Sequence, residues 1–165
     1  MIFEEDGRRT IDERKHLKVS TRSYSLDSGV LIEMLLDTPL GHTISESLLS
    51  DSQIIAYSSH FNLTEVEYIL CRRLGRDLAR SKVDNLVRSN YIILTGAENL
   101  CATAAQIKCE RALALGDCYT LANAKVTAST ALFAFREEDL SREIKRKPFD
   151  VDIEFLEDSH PKPAS

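Results

Sequence analysis

The feature that most constrains this chain is an alternation. Short apolar or β-branched runs are separated by longer segments with helical spacing, from residue 22 to residue 158. RSYSL (22–26) reads as a strand and runs into SGVLIEMLLD, whose apolar run from Val30 to Leu36 predicts a buried helix. QIIAYSS (53–59) predicts a buried strand. LTEVEYILCRRLG (63–75) follows, with Leu63, Val66, Ile69, Leu70 and Leu74 at helical spacing and Gly75 as a C-cap. RDLARSKVDNLVRS continues as a second helix, and NYIILT (90–95) predicts a third strand. Cys101 to Leu115 reads as one helix anchored by Ala105, Ile107, Cys109 and Leu113. Gly116 breaks it, and Asp117 opens another that runs to about Ser129. TALFAF (130–135) and FDVDIEFLED (149–158) predict strands four and five, the last half-exposed and so near an edge.

Strands separated by helices need crossovers, and crossovers make parallel strands. The expected fold is α/β, a three-layer α/β/α sandwich around a mostly parallel five-stranded sheet. It forms one domain over residues 21–158, with a charged N-terminal extension (1–20) and a flexible C-terminal tail (159–165). A chain of 165 residues with 43% apolar and 28% charged residues suits a packed core and excludes a disordered or collagen-like polymer. No apolar stretch is long enough to span a membrane, and the first residues are too charged for a signal peptide, so the expected location is cytoplasmic. The net charge of −5 argues against a general electrostatic nucleic-acid binder. It leaves room for a local grip on phosphates through metal ions or one basic patch. Cys71, Cys101, Cys109 and Cys118 form no C-x-x-C, and the four histidines are not at ligand spacing. The cysteines therefore read as reduced, small, buried or half-buried apolar residues.

Parallel sheets collect ligands at the carboxyl ends of their strands, and acids stand there. Asp27 follows strand 1. Glu65, with Glu67 two residues on, falls in the first turn of the helix after strand 2. Asp117 opens the helix before strand 4, and Glu137, Glu138 and Asp139 follow strand 4. Each has a bland explanation: Asp27 and Asp117 as N-caps, Thr64 to Glu67 as a capping box, Glu137 to Asp139 as partners of a helix dipole. Together they point to a divalent cation. Clustered carboxylates repel and hold protons unless Mg²⁺ or Mn²⁺, which prefer oxygen ligands, neutralise them. No Ser-His-Asp, Cys-His or glycine-rich phosphate loop competes. Residues 71–88 are basic, and Arg72, Arg73, Arg76 and Arg80, with Lys82 and Arg88, are candidate phosphate contacts or a solvated helix face.

The order of these motifs resembles the PIN domain family, which includes VapC-type toxin ribonucleases. The motifs are LDSGVLIEML, LTEVEYIL, AAQIK followed by ALGDCYTLANA, and ALFAFREEDL. The likeness spans roughly residues 22–156. It implies a metal-dependent endoribonuclease with an acidic Mg or Mn pocket, a homodimer, RNA as substrate and a possible cognate antitoxin. Carried over by motif, Asp27, Glu65 and Asp117 are the first three acids, and Ser28 sits where the family often has a hydroxyl. The fourth motif departs: the family's Ser or Thr is Phe135, its Asp is Glu137, and Asp139 is the following acid. Glu137 is preferred because the apolar strand ends at Phe135. These departures keep a second reading open, a PIN-like module that binds RNA or protein without cutting. A receiver-like phospho-acceptor domain is disfavoured, because strand 3 ends in LTGAENL without an Asp. The surplus of apolar residues over 62–88, from Val66 and Tyr68 to Leu86 and Val87, also predicts a partner interface.

Overall fold

A computed structural model describes residues 21–51 and 53–159. Of the two terminal segments proposed from sequence, 1–20 lies outside them, and so does 159–165 except for Ser159, which closes a short 3-10 turn (Leu156–Ser159). Among the described residues five strands form one sheet: β1 (Arg22–Leu26), β2 (Ile54–Ser59), β3 (Ile92–Thr95), β4 (Thr130–Phe133) and β5 (Ile153–Phe155). Every pairing is parallel, and the order is β3-β2-β1-β4-β5. β1 is therefore central, and the chain leaves it in opposite directions toward β2 and, later, β4.

Helices cover both faces. On one side lie α1 (Ser28–Leu35), α2 (Pro39–Ser50), α3 (His60–Leu74) and α4 (Arg76–Arg88), packed around Leu26, Val30, Leu31, Val66, Leu70 and Val83. On the other lie α5 (Cys101–Glu110), α6 (Leu115–Thr127) and α7 (Glu138–Arg146), around Leu100, Leu113, Leu121, Phe133, Leu140 and Phe155. The period of two along a strand divides β4 between these cores. Ala131 and Phe133 serve one, and Leu132 the other. With helices on both faces this is the expected three-layer sandwich. No helix among the described residues is long and apolar enough to cross a membrane.

The differences from the sequence reading have local causes. A helix over 39–50 goes unforeseen, although Thr38-Pro39 is a start signal. The Thr38 hydroxyl accepts from Gly41 N–H at 3.0 Å. Gly41 is needed there, because a Cβ would lie 2.0 Å from the Glu33 carbonyl oxygen on α1. α5 ends at Glu110, not Leu115, because Arg111 turns extended to bury its side chain. Ala105 and Cys109 of the expected apolar face are exposed, and Leu100 and Ala104 carry the packing instead. Cys101 is exposed as well, so only Cys118 and, in part, Cys71 fit the buried reading. Strand five shrinks to Ile153–Phe155 at the sheet edge, and strand four stops at Phe133. Gly75 is the α3 C-cap as expected, at φ 86°, a conformation that favours glycine.

Candidate active site

The sheet order reverses between β1 and β4, and such a switch point opens a crevice at the carboxyl ends of the two strands. Asp27 is the first residue beyond β1 and the N-cap of α1. Its Oδ2 accepts from Gly29 N–H at 2.9 Å, so its capping role is real. Its Oδ1 accepts from the Thr120 hydroxyl, also at 2.9 Å, which arrives on α6 from the other side of the sheet.

Glu65 lies in the second turn of α3, not the first. The helix begins at His60, where the Ser59 hydroxyl caps it by accepting from Asn62 N–H at 3.0 Å. The capping box proposed for Thr64 and Glu67 does not form. Thr64 donates to the His60 carbonyl, and Glu67 pairs with Arg80 at 3.2 Å, away from the crevice. Freed from capping, Glu65 points inward and its Oε2 accepts from the Ser28 hydroxyl at 2.8 Å. Its approach depends on Gly116, where a Cβ would stand 2.5 Å from that oxygen.

Asp117 is the third residue of α6, whose N-cap is Ala114 without a side-chain hydrogen bond, so the N-cap reading of Asp117 fails. Its place in the first turn leaves the carboxylate beside the helix N-terminus, where the dipole favours negative charge. Glu137, N-cap of α7 without a side-chain cap bond, completes the set. Asp27, Glu65, Asp117 and Glu137 line one groove of about 250 Å³, shared with Ser28, Arg73 and Phe135. Asp139 does not line it and pairs instead with Arg142, one turn along α7. A larger depression of about 930 Å³ lies at the opposite end of the sheet, by Arg22, Thr130 and Asp152; none of these four acids reaches it.

The electrostatics of the groove are those of uncompensated acids. Burial pushes the Asp117 carboxyl up to about 7, and the charges of Asp27, Glu137 and Glu65 add to that. Asp27 rises to about 6, again mainly through burial, with the Gly29 and Thr120 hydrogen bonds opposing. Among the described residues no three acids already stand in a metal-ligating arrangement. The donor set is nevertheless all oxygen, the chemistry that suits Mg²⁺ or Mn²⁺, and the repulsion is what a divalent cation removes. In that sense the residues fit such an ion.

Sequence reasoning did not find Ser59, Asn62 or Thr120. The Ser59 hydroxyl bonds Asn62 Oδ1, and Asn62 Nδ2 donates to Thr120 Oγ1 at 3.0 Å and the Gly116 carbonyl at 3.3 Å. This buried chain joins the start of α3 to α6 and ends on Asp27. Serine three residues before Asn62 was its one visible signal. The basic candidates separate. Arg73 lines the groove, and Arg76 is exposed; among the described residues neither has an ion-pair partner. Arg72 lies over the Tyr68 ring, Arg80 pairs with Glu67 and Asp84, and Lys82 donates to the Leu35 carbonyl at the end of α1.

The fold is a parallel α/β/α sandwich with four carboxylates lining a groove at its switch point. The PIN domain family model matches residues 24–145, and the chain belongs to that family. Similar solved structures agree on the fold. Mycobacterium tuberculosis VapC20, described as a sarcin-ricin loop cleaving toxin, is 16% identical. It aligns over 73% of this chain and 93% of its own, with a TM-score of 0.55. VapBC2 from Rickettsia felis, solved bound to a DNA fragment from its promoter, is 14% identical over 81% and 98%, with a TM-score of 0.57. PAE2754 from Pyrobaculum aerophilum is 13% identical over 91% and 95%, with a TM-score of 0.54. No curated protein matches the sequence.

Proposed function

We propose that this chain is a metal-dependent endoribonuclease of the VapC toxin type, acting on RNA phosphodiester bonds at the β1/β4 groove. The observation that carries the reading is the convergence of Asp27, Glu65, Asp117 and Glu137 on one groove, where burial above all, with repulsion added, raises the Asp27 and Asp117 carboxyls to about 6 and 7. These four would hold Mg²⁺ or Mn²⁺. When bound, such an ion would make water a nucleophile at neutral pH and stabilise charge on the phosphate oxygens. Thr120 and Gly29 fix the Asp27 carboxylate, and Ser28 fixes Glu65, so the acids are oriented before any ligand arrives. Arg73 supplies the positive charge in the groove that draws a phosphate chain toward an acidic site.

A homodimer fits the same reading. Tyr68, Leu78, Val87, Tyr91 and Ile93 are exposed on α3, α4 and the β3 edge, more apolar surface than scattered single residues would give. Sedimentation at micromolar concentration tests it, and a strict monomer would count against it. The VapBC2 likeness supports a small antitoxin protein as a further partner. A second reading, a module that binds RNA without cutting, is favoured by the absence of a ready ligating triad among the described residues and by Phe135 in place of a hydroxyl. One titration separates the two. Mg²⁺ or Mn²⁺ is added to labelled single-stranded RNA with wild type and with Asp117→Asn. Cleavage by wild type, falling at least a hundredfold in the variant on the order of a lost charged group, is the nuclease outcome. Binding without cleavage by both proteins is the other.

A further inference from the structure

Phe135 stands two residues beyond β4 and is 47% exposed, although it lines the acid groove together with Asp117 and Glu137. A large aromatic at that place is costly to leave in water. It is not there for lack of order in the backbone. The Glu157 N–H donates to the Ala134 carbonyl at 3.2 Å, and Glu157 Oε1 accepts from Arg136 N–H at 2.6 Å. The Arg136 guanidinium turns away, over the Phe155 ring at 4.2 Å and onto Asp158. The residues on either side of Phe135 are thus tied to the turn that follows β5, and the ring is presented outward. On α6 Leu115, 44% exposed, precedes Gly116 and Asp117, and one turn on Tyr119 stacks on Phe61 at 4.4 Å and 3°. Exposed apolar residues thus stand close to the groove acids along the chain on both segments, Phe135 two residues before Glu137 and Leu115 two before Asp117.

We propose that Phe135 is a stacking platform for an unpaired nucleobase beside the scissile phosphate, which selects single-stranded RNA. The inference rests on the nuclease reading above and names how that site receives its substrate. Every base has a flat π-face, so one pre-positioned ring holds a strand without reading its sequence. A duplex keeps its bases stacked on one another and offers no face. Arg73 in the same groove takes the phosphate, and the ring takes the adjoining base, so the backbone is aligned over the acids. The anchored loop matters because a fixed ring loses little freedom on binding.

The test uses the absence of tryptophan from the chain. Phe135→Trp places a single indole at the groove, and an Asp117→Asn background with Mg²⁺ keeps the strands intact. A single-stranded RNA of twelve nucleotides, the same backbone with abasic nucleotides, and a duplex are titrated while indole emission and RNA anisotropy are followed together. The proposal expects saturable quenching by the single strand alone. It also expects affinity about tenfold lower for Phe135→Ala than for Phe135 or Phe135→Trp, the scale of one lost base stack. Equal affinity in all three, with RNA bound and the indole unquenched, overturns the platform and leaves the nuclease reading standing. So does equal binding of the abasic strand, which would assign affinity to phosphates alone. No binding of any strand overturns both.

Discussion

Two regions of this molecule withdraw carboxylates from water and treat them in opposite ways. Glu143 on α7 is buried, at 4% exposure, and is answered by arginines. Arg146 hydrogen-bonds it at 2.6 Å and 2.9 Å, Arg111 lies 3.7 Å away, and its carboxyl is held below the ordinary range chiefly by Arg146. Arg111 spends its other donors on the carbonyls of Glu143, Lys147 and Pro148 and stacks on Phe149 at 4.1 Å. In the β1/β4 groove, Asp27 and Asp117 have no such answer, and burial and mutual repulsion push them up. One cluster ties the segment after α7 to the body of the fold. The other stores repulsion that a ligand can relieve. Paired acids report on architecture; unpaired acids brought together by separate elements report on function.

The contrast breaks most sharply at Arg111. Arg111→Ala removes three carbonyl contacts and leaves Glu143 with less compensation, so it should cost about 3 kcal/mol, read by urea denaturation. Metal-supported stabilisation should survive in whatever fraction remains folded.

The groove should behave in the opposite sense. Asp27 and Asp117 have folded-state values above their ordinary 3.8, so the folded protein binds these protons more tightly than the unfolded chain. That stability is complete below 3.8 and is lost as pH rises through about 6 and 7. Glu143, held low, contributes stability that is lost as pH falls below its ordinary 4.5. In EDTA, thermal melts across this range should therefore decline toward neutral pH, and Mg²⁺ should flatten the decline. Asp117→Asn should stabilise the EDTA form at pH 8 by about 1–2 kcal/mol, after allowance for partial solvent screening. A variant no more stable than wild type there would remove the repulsion argument.

Thr120→Val sharpens the comparison from inside the groove. It leaves the Asn62 amide and one Asp27 oxygen short of a partner, at a cost of about 1–2 kcal/mol. Because the Thr120 bond lowers the Asp27 value, its loss should shift the EDTA pH decline to higher pH, visible in the same melts. The smallest effect belongs to Asp139→Asn. Its partner Arg142 is an exposed neighbour on α7, so stability should change by less than about 0.5 kcal/mol and cleavage should not change. Loss of cleavage in this variant would return Asp139 to the site in place of Glu137.

The alternation of runs was enough for the parallel sandwich and for the places of its five strands and most of its helices along the chain, because strand and helix periods are local properties; the order of the strands in the sheet came only from the structure. The alternation also pointed to the acids near the carboxyl ends of the strands, of which Asp27, Glu65, Asp117 and Glu137 line one groove, and Gly75 announced its own corner. It could not say that Arg111 would be buried and end α5, since that depends on carbonyls of residues 143, 147 and 148 far along the chain. Periodicity alone does not separate Glu65 from Glu67; the family resemblance chose Glu65, and the reason lies in the side of α3 each occupies once Ser59 has set where the helix begins. Thr120, Asn62 and Gly116 carry no pattern by themselves. Their roles exist only because the first turns of α3 and α6 meet over β1 and β2. A cap or a period is written in neighbours along the chain. A hydrogen bond between residues 27 and 120, or repulsion among acids from four segments, is decided by packing alone.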